Sequence, residues 1–333
     1  MRLLHGMRHR HWLIGTLLLG LGTAVVGGLF ADVFIRGPVP GDPDWRPQPA
    51  AASDDGKLRI IVFGGHPDDC EFSSGGVGAM WAKQGHHVKF VSMTNGDIGH
   101  WRMAGGPLAQ RRTAEVKKAA EVLGIAESEV LDIHDGELMP DLPTRKTVVR
   151  LIRDWKADVV IVHRPHDYHP DHRNAGLVVR DAAYMVTVPY FCPDAPYLDR
   201  NPLFLYSYDR FERPYPFVPD VVVDIDPVID LKVDALAVME SQFVEGGCCG
   251  SHIAPRNDEE RAAGRETVRE RFRSRAAGIA GRYRDRLKEL YGDEHGEKAR
   301  HAEAFEIAEH GRMPTEEEAR TLFPFEGLRY RKR

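Results

Sequence analysis

Leu58-Arg-Ile-Ile-Val-Phe63 runs directly into Gly64-Gly65-His66-Pro67-Asp68-Asp69. The first half is short, continuously apolar and rich in β-branched residues, the pattern of a strand buried on both faces. The second half is a tight loop, opened by two glycines and stiffened by proline, that carries one imidazole and two carboxylates. A buried strand that ends in reactive side chains is how an open α/β sheet presents a site at its carboxyl edge.

Downstream, short apolar runs alternate with longer amphipathic ones. Helices are expected over Gly75–Gln84, Pro107–Leu123, Pro143–Trp155 and Asp171–Tyr184, and strands over His87–Thr94, Val130–Ile133 and Asp158–Val162. Pro107 and Gly124 bracket the second helix as start and stop signals. This β-α-β-α order predicts an α/β fold, a Rossmann-like and mostly parallel sheet with helices on both faces. A Pro- and aromatic-rich stretch, Pro189–Pro219, interrupts the pattern. Strands at Leu203–Tyr208 and Asp220–Ile225 and a helix over Asp226–Phe243 follow. From Asp258 to Tyr291, Val268, Phe272, Ile279, Tyr283, Leu287 and Leu290 recur at helical spacing, giving C-terminal amphipathic helices that pack on the domain.

The 333 residues are 42% apolar and 29% charged, with a formal net charge of -5, which gives no reason to expect nucleic-acid binding. Four cysteines are too few for a disulfide framework. Residues 1–11 carry Arg2, Arg8 and Arg10 without an acid, and the apolar run Trp12–Ala31 follows. About 20 such residues span a bilayer core as a helix. The basic flank would stay in the cytoplasm, leaving the catalytic part extracytoplasmic, membrane-anchored or, if the run is a cleaved signal, secreted. The expected organisation is an anchor or signal segment (1–36), a Pro-rich linker (37–57), a catalytic domain (58–250) and a C-terminal helical extension (251–333).

A second reactive segment, His166-Asp-Tyr-His169-Pro-Asp171-His172, leaves the strand Asp158–Val162. Loops at the carboxyl ends of parallel strands converge, so the two segments can share one site. Catalytic zinc takes three ligands from His, Asp or Glu and keeps a position open for water. His66, Asp69 and His172 supply such a set, which also suits ferrous iron. Asp68 is left over as a general base for the attacking water. His169 is placed to stabilise an oxyanion and protonate a departing amine, with Asp171 holding its ring.

At these residues the chain resembles the PIG-L/LmbE-like family of zinc-dependent N-acetylglucosamine deacetylases. His66–Asp69 matches the family's His-Pro-Asp-Asp signature and His169–His172 its His-Pro-Asp-His signature, with Gly75-Gly76, Thr94–Asp97, Arg112–Glu115, Asp135-Gly136 and Glu240–Gln242 similar to further family segments. The match covers about residues 58–245. The resemblance implies that His66, Asp69 and His172 ligate the metal, that Asp68 is the base, and that His169 is the acidic partner with Asp171 behind it. It implies sugar contacts from Arg112 and Asp135. Trp101 and Arg102, on the loop 100–106, are candidate lid and specificity residues. The implied reaction is hydrolysis of an N-acetyl bond on an N-acetylglucosamine-type sugar, glycolipid or glycoconjugate, a water at the metal attacking the amide carbonyl. A thiol-conjugate or natural-product amidase, and a non-catalytic carbohydrate-binding protein, are the alternatives.

Overall fold

The computed structural model describes residues 45–51, 55–250 and 254–332. The apolar run 12–31, on which the anchor expectation rests, lies outside the described residues. Among those described, no helix is long and apolar enough to cross a membrane.

The first strand, β1, is Arg59–Gly64, and helix α1 follows at Asp69–Lys83. Strand β2 (His87–Ser92), helix α2 (Gly106–Leu123), strand β3 (Glu127–Val130), helix α3 (Leu142–Trp155), strand β4 (Val159–Val162) and helix α4 (Pro170–Met185) complete the alternating region. Then come β5 (Leu203–Ser207), β6 (Val221–Asp224), α5 (Ile229–Ala237) and α6 (Glu240–Phe243). The chain ends with α7 (Asp258–Arg282), α8 (Arg284–Tyr291), α9 (Asp293–Lys298), β7 (Ala302–Ile307) and α10 (Glu316–Leu322).

The seven strands form one sheet in the order β3-β2-β1-β4-β5-β7-β6. β1 to β5 are mutually parallel, and β7 is antiparallel to both β5 and β6. Side chains alternate across the sheet with period two. Ile60 and Val62 join the core beneath α1, α2, α5 and α7, whereas Ile61 and Phe63 join the core beneath α3 and α4. From β1 the chain winds outward through β2 and β3, then returns to place β4 on the other side of β1. The crevice between β1 and β4 is therefore the switch point at which such sheets bind ligands.

Three differences from the sequence expectation have physical causes. Helix α1 starts at Asp69, six residues before the expected Gly75. Its first turn is buried (Asp69, Cys70 and Glu71 all lie inside), so it shows no amphipathic pattern. The helix expected over Asp226–Phe243 is broken into a 3-10 turn, α5 and α6, Met239 having a non-helical backbone. The stretch 251–333, expected to be a helical extension, contributes β7 to the interior of the sheet.

On β7, Glu303 is 2% exposed and accepts the N–H groups of Gly76 and Val77 at 2.8 Å each, with Lys232 as its counter-ion. A Cβ on Gly76 would stand 3.0 Å from that carboxylate, so a glycine allows this approach. The C-terminal segment thus braces the helix that carries the site. Part of the expected linker is also tied down. Pro49 forms a parallel bridge with Tyr197, and the Ala50 N–H donates to the Tyr197 carbonyl at 2.7 Å.

Candidate active site

Two strand ends deliver the reactive groups. The loop after β1 and the first turn of α1 present His66, Asp68 and Asp69, and the loop after β4 and the first turn of α4 present Asp167, His169, Asp171 and His172. Their approach requires Gly65, where a Cβ would sit 2.7 Å from Cδ2 of His172.

His66 Nδ1, Asp69 Oδ2 and His172 Nε2 form a triangle. Its edges are 3.1 Å between the two imidazoles, 3.3 Å from His66 to Asp69, and 3.2 Å from His172 to Asp69. Ligands about 2.0–2.1 Å from a tetrahedral zinc stand roughly 3.3 Å apart, so the three atoms have the spacing of one shared ion. The mixed nitrogen and oxygen donors suit a borderline divalent metal. Burial alone lowers the affinity of His66 for a proton, yet Asp135, Asp171 and Asp69 raise its pKa well above the ordinary value. His172 behaves alike, burial being overridden by Asp69 and Asp167, and is pushed up to about 10. Carboxylates therefore demand positive charge at the position where a cation would sit.

The outer faces of both imidazoles are held. His66 Nε2 lies 3.1 Å from Asp171 Oδ2 and 3.2 Å from Asp135 Oδ1, which leaves Nδ1 free to ligate. His172 Nδ1 lies 3.1 Å from Asp167 Oδ1, an electrostatic contact without hydrogen-bond alignment. A carboxylate hydrogen-bonded to an imidazole, as Asp171 is to His66, fixes the tautomer and raises the basicity of the other ring nitrogen. Asp171 itself is fully buried and accepts the N–H groups of Gly136 at 2.7 Å and Leu138 at 3.1 Å.

This geometry corrects one expected role. The carboxylate of Asp171 is 3.9 Å from His169 Nδ1, and its nearer imidazole is that of His66, at 3.1 Å. The His169 tautomer is set instead by the Asp171 backbone N–H, which donates to His169 Nδ1 at 3.2 Å and caps α4. The His169 proton is thereby left on Nε2. Burial, then His66 and His172, lower the His169 pKa, which favours the neutral ring. Asp135, expected to bind sugar hydroxyls, has one carboxylate oxygen 3.2 Å from His66 Nε2. Its own backbone N–H donates to Asp97 at 3.1 Å.

Asp68 is the N-cap residue of α1, is 7% exposed, and its carboxylate has no hydrogen-bond partner among the described residues. Burial, then Asp69, raises its pKa to about 6, against the pull of Arg112. Asp69 is driven the other way, its burial outweighed by His172 and His163.

Arg112 is buried and donates to the Gly99 carbonyl at 2.6 Å and to Gln242. Glu115 accepts from Arg111 at 3.0 Å and from the Ser241 hydroxyl at 2.6 Å. The similar segments Arg112–Glu115 and Glu240–Gln242 are thus two sides of one contact, between α2 and α6. Trp101 and Arg102 do not line the main cavity. The Trp101 backbone N–H is held by the Gly247 carbonyl at 2.9 Å.

Two residues at the site went unread in the sequence. His163, directly after β4, stacks on His172 at 4.1 Å and accepts the Gly65 N–H at 3.2 Å. Its place at a strand end was the available signal. Tyr168, 71% exposed, lies edge-on to His169 and His172 with ring centroids 5.8 and 5.7 Å away. It is an exposed aromatic in the lining of the main cavity. The cavity beside the triangle measures about 1010 Å³ and is lined by Asp68, Asp69, His172 and Tyr168 at one end and by α7 at the other.

A buried His-Asp-His triangle beside an unpartnered carboxylate, at the switch point of an α/β sheet, defines a metal-binding hydrolytic type of site. The chain belongs to the PIG-L family, described as GlcNAc-PI de-N-acetylase, whose model matches residues 61–183. It is 31% identical to the diacetylchitobiose deacetylase of Thermococcus kodakarensis over 192 residues, 56% of this chain and 71% of that one. It is 27% identical to a 4-oxalmesaconate hydratase of Pseudomonas putida over 190 residues, 55% and 73% of the two chains. The N,N'-diacetylchitobiose deacetylase structure from Pyrococcus horikoshii shares the fold, with a TM-score of 0.57 at 24% identity over 75% of this chain and 84% of that one.

Proposed function

We propose that this protein hydrolyses the N-acetyl bond of an N-acetylglucosamine-type sugar, with zinc held by His66, Asp69 and His172. The observation that carries the reading is the 3.1–3.3 Å ligand triangle beside the unpartnered carboxylate of Asp68. A divalent ion held there supplies Lewis-acid polarisation of a carbonyl oxygen and lowers the pKa of water toward about 7.

The chain's own groups do the rest. Asp68, with a pKa near 6, takes the proton of the attacking water and is matched to work near neutral pH. His169 Nε2–H donates to the amide oxygen as charge builds on it. The proton held by Asp68 is the one the departing amine requires. Asp171 keeps the His66 imidazole in its ligating tautomer. The apolar run 12–31 supports an extracytoplasmic location, testable by protease accessibility in intact cells.

The deacetylase relative supports the amide reading, and the hydratase relative supports a second, hydration of an unsaturated polycarboxylic acid. The arginine-lined cavity described below is the observation in its favour. The test is acetate release from diacetylchitobiose by the full chain, lost with chelator and restored by zinc. Hydration of an unsaturated dicarboxylate without acetate release from any N-acetyl sugar would refute the proposal.

A further inference from the structure

Beyond the ligand triangle the cavity runs along α7, and the charge of that wall is unbalanced. Most arginines of α7 are paired. Arg261 and Arg265 meet Glu240, Arg269 meets Asp234 at 2.6 Å, and Arg273 meets Asp230 at 2.9 Å. Arg271, Arg275 and Arg282, which line the cavity, have no carboxylate within 4 Å among the described residues, nor does Arg210 from the loop after β5.

Positions 271, 275 and 282 lie on one face of the helix, over about 16 Å of its axis. Gly278, between them, leaves open space where a side chain would otherwise intrude. The acids on the α7 side of the same cavity are already engaged, Asp209 by Arg164 at 2.8 Å and Asp167 by His172, and the unpartnered Asp68 lies at the other end, beside the ligand triangle. Arg275 is the fixed member, its guanidinium 4.2 Å from the Phe72 ring centroid and 5.8 Å from that of Tyr208. Burial lowers its pKa, and Arg210 and Arg271 lower it further. Several like charges crowded on a half-buried wall, with no counter-ion from the protein, form a receptor for an anion.

We propose that Arg271 and Arg275, aided by Arg210 and Arg282, bind a carboxylate or phosphate on the aglycone of the sugar whose amide reaches the ligand triangle. The preferred substrates are then anionic glycosides of N-acetylglucosamine. The glycosidic carbon adjoins the carbon that bears the acetamido group, so the aglycone is the part that continues along the cavity. This inference rests on the deacetylase reading above and adds the substrate class.

The test uses the zinc-loaded full chain and three substrates: N-acetylglucosamine 1-phosphate, the lactic acid glycoside of N-acetylglucosamine, and the neutral methyl glycoside. The variant combines Arg271→Gln with Arg275→Met, methionine keeping the packing on Phe72. At least one anionic substrate should exceed the neutral one in kcat/KM by tenfold or more. That ratio should fall at least tenfold in the variant, mainly through KM, and the better anion assigns carboxylate or phosphate. Equal use of all three substrates, or a ratio that survives the double substitution, overturns the proposal. Calorimetry with Asp68→Asn separates the two readings. If no substrate releases acetate but the anionic glycosides bind and the arginine substitutions abolish that binding, the anion site stands and the deacetylase reading falls. If nothing is hydrolysed and nothing binds, both fall.

Discussion

Glu71, in the first turn of α1, is 1% exposed, and its Oε2 has no hydrogen-bond partner. Burial raises its pKa from 4.5 to about 8, with Asp68 and Asp69 adding to the effect. In the unfolded chain the group ionises near its ordinary value, so between pH 4.5 and about 8 the folded state holds a proton that the unfolded state has lost. Stability from this proton is fully present below pH 4.5 and is lost as pH rises through about 8. At about 1.4 kcal/mol per pH unit, the whole gap amounts to about 5 kcal/mol. Between pH 5.5 and 8.5 the linkage relation gives a loss of about 3 kcal/mol. Glu71→Gln keeps the shape and removes the titration. Urea denaturation of the metal-loaded protein and the variant at both pH values gives the difference of differences, from which other titrating groups cancel. Wild type should lose about 3 kcal/mol more than the variant over this interval. Parallel pH dependence in the two proteins would show that Glu71 is ionised in the folded state and would refute the reasoning.

Other outcomes follow from the same geometry. Asp68→Asn should lower kcat by about 10³-fold or more while zinc remains stoichiometric by elemental analysis, whereas Asp69→Ala should lose the metal itself. Asp171→Asn should weaken zinc affinity by about 10–100-fold in chelator competition, because it supports His66. Gly65→Ala drives a Cβ to within 2.7 Å of His172, so metal binding should fall with the circular dichroism of the fold retained. Arg153 is 1% exposed and donates to the carbonyls of Met185, Val186, Val188, Phe191, Cys192 and Ala195. Arg153→Met should therefore cost about 3 kcal/mol or more in urea denaturation, since those acceptors lose their donor.

By itself the sequence determined the alternation of strands and helices, because β1, β4 and β5 are short apolar runs and the helices carry readable stops such as Gly124, but it placed β3 three residues late, at Val130–Ile133, because Glu127–Val130 is largely polar. It also singled out His66, Asp69 and His172, which sit in short motifs directly after β1 and β4, where the topology of such sheets forces loops together, and the structure brings their side chains within 3.1–3.3 Å of one another. Tertiary structure alone decided which carboxylate serves which imidazole. Asp135 and Asp171 both turn to His66, and that pairing depends on the packing of the loop after β3, which no local spacing encodes. It alone placed β7 in the sheet, since Glu303 looks like a surface residue until Lys232 and the amides of α1 enclose it. It also turned the unpaired arginines of α7 toward the site. Periodicity gives the apolar face of a helix, but which polar side chains find partners depends on the elements packed beside it.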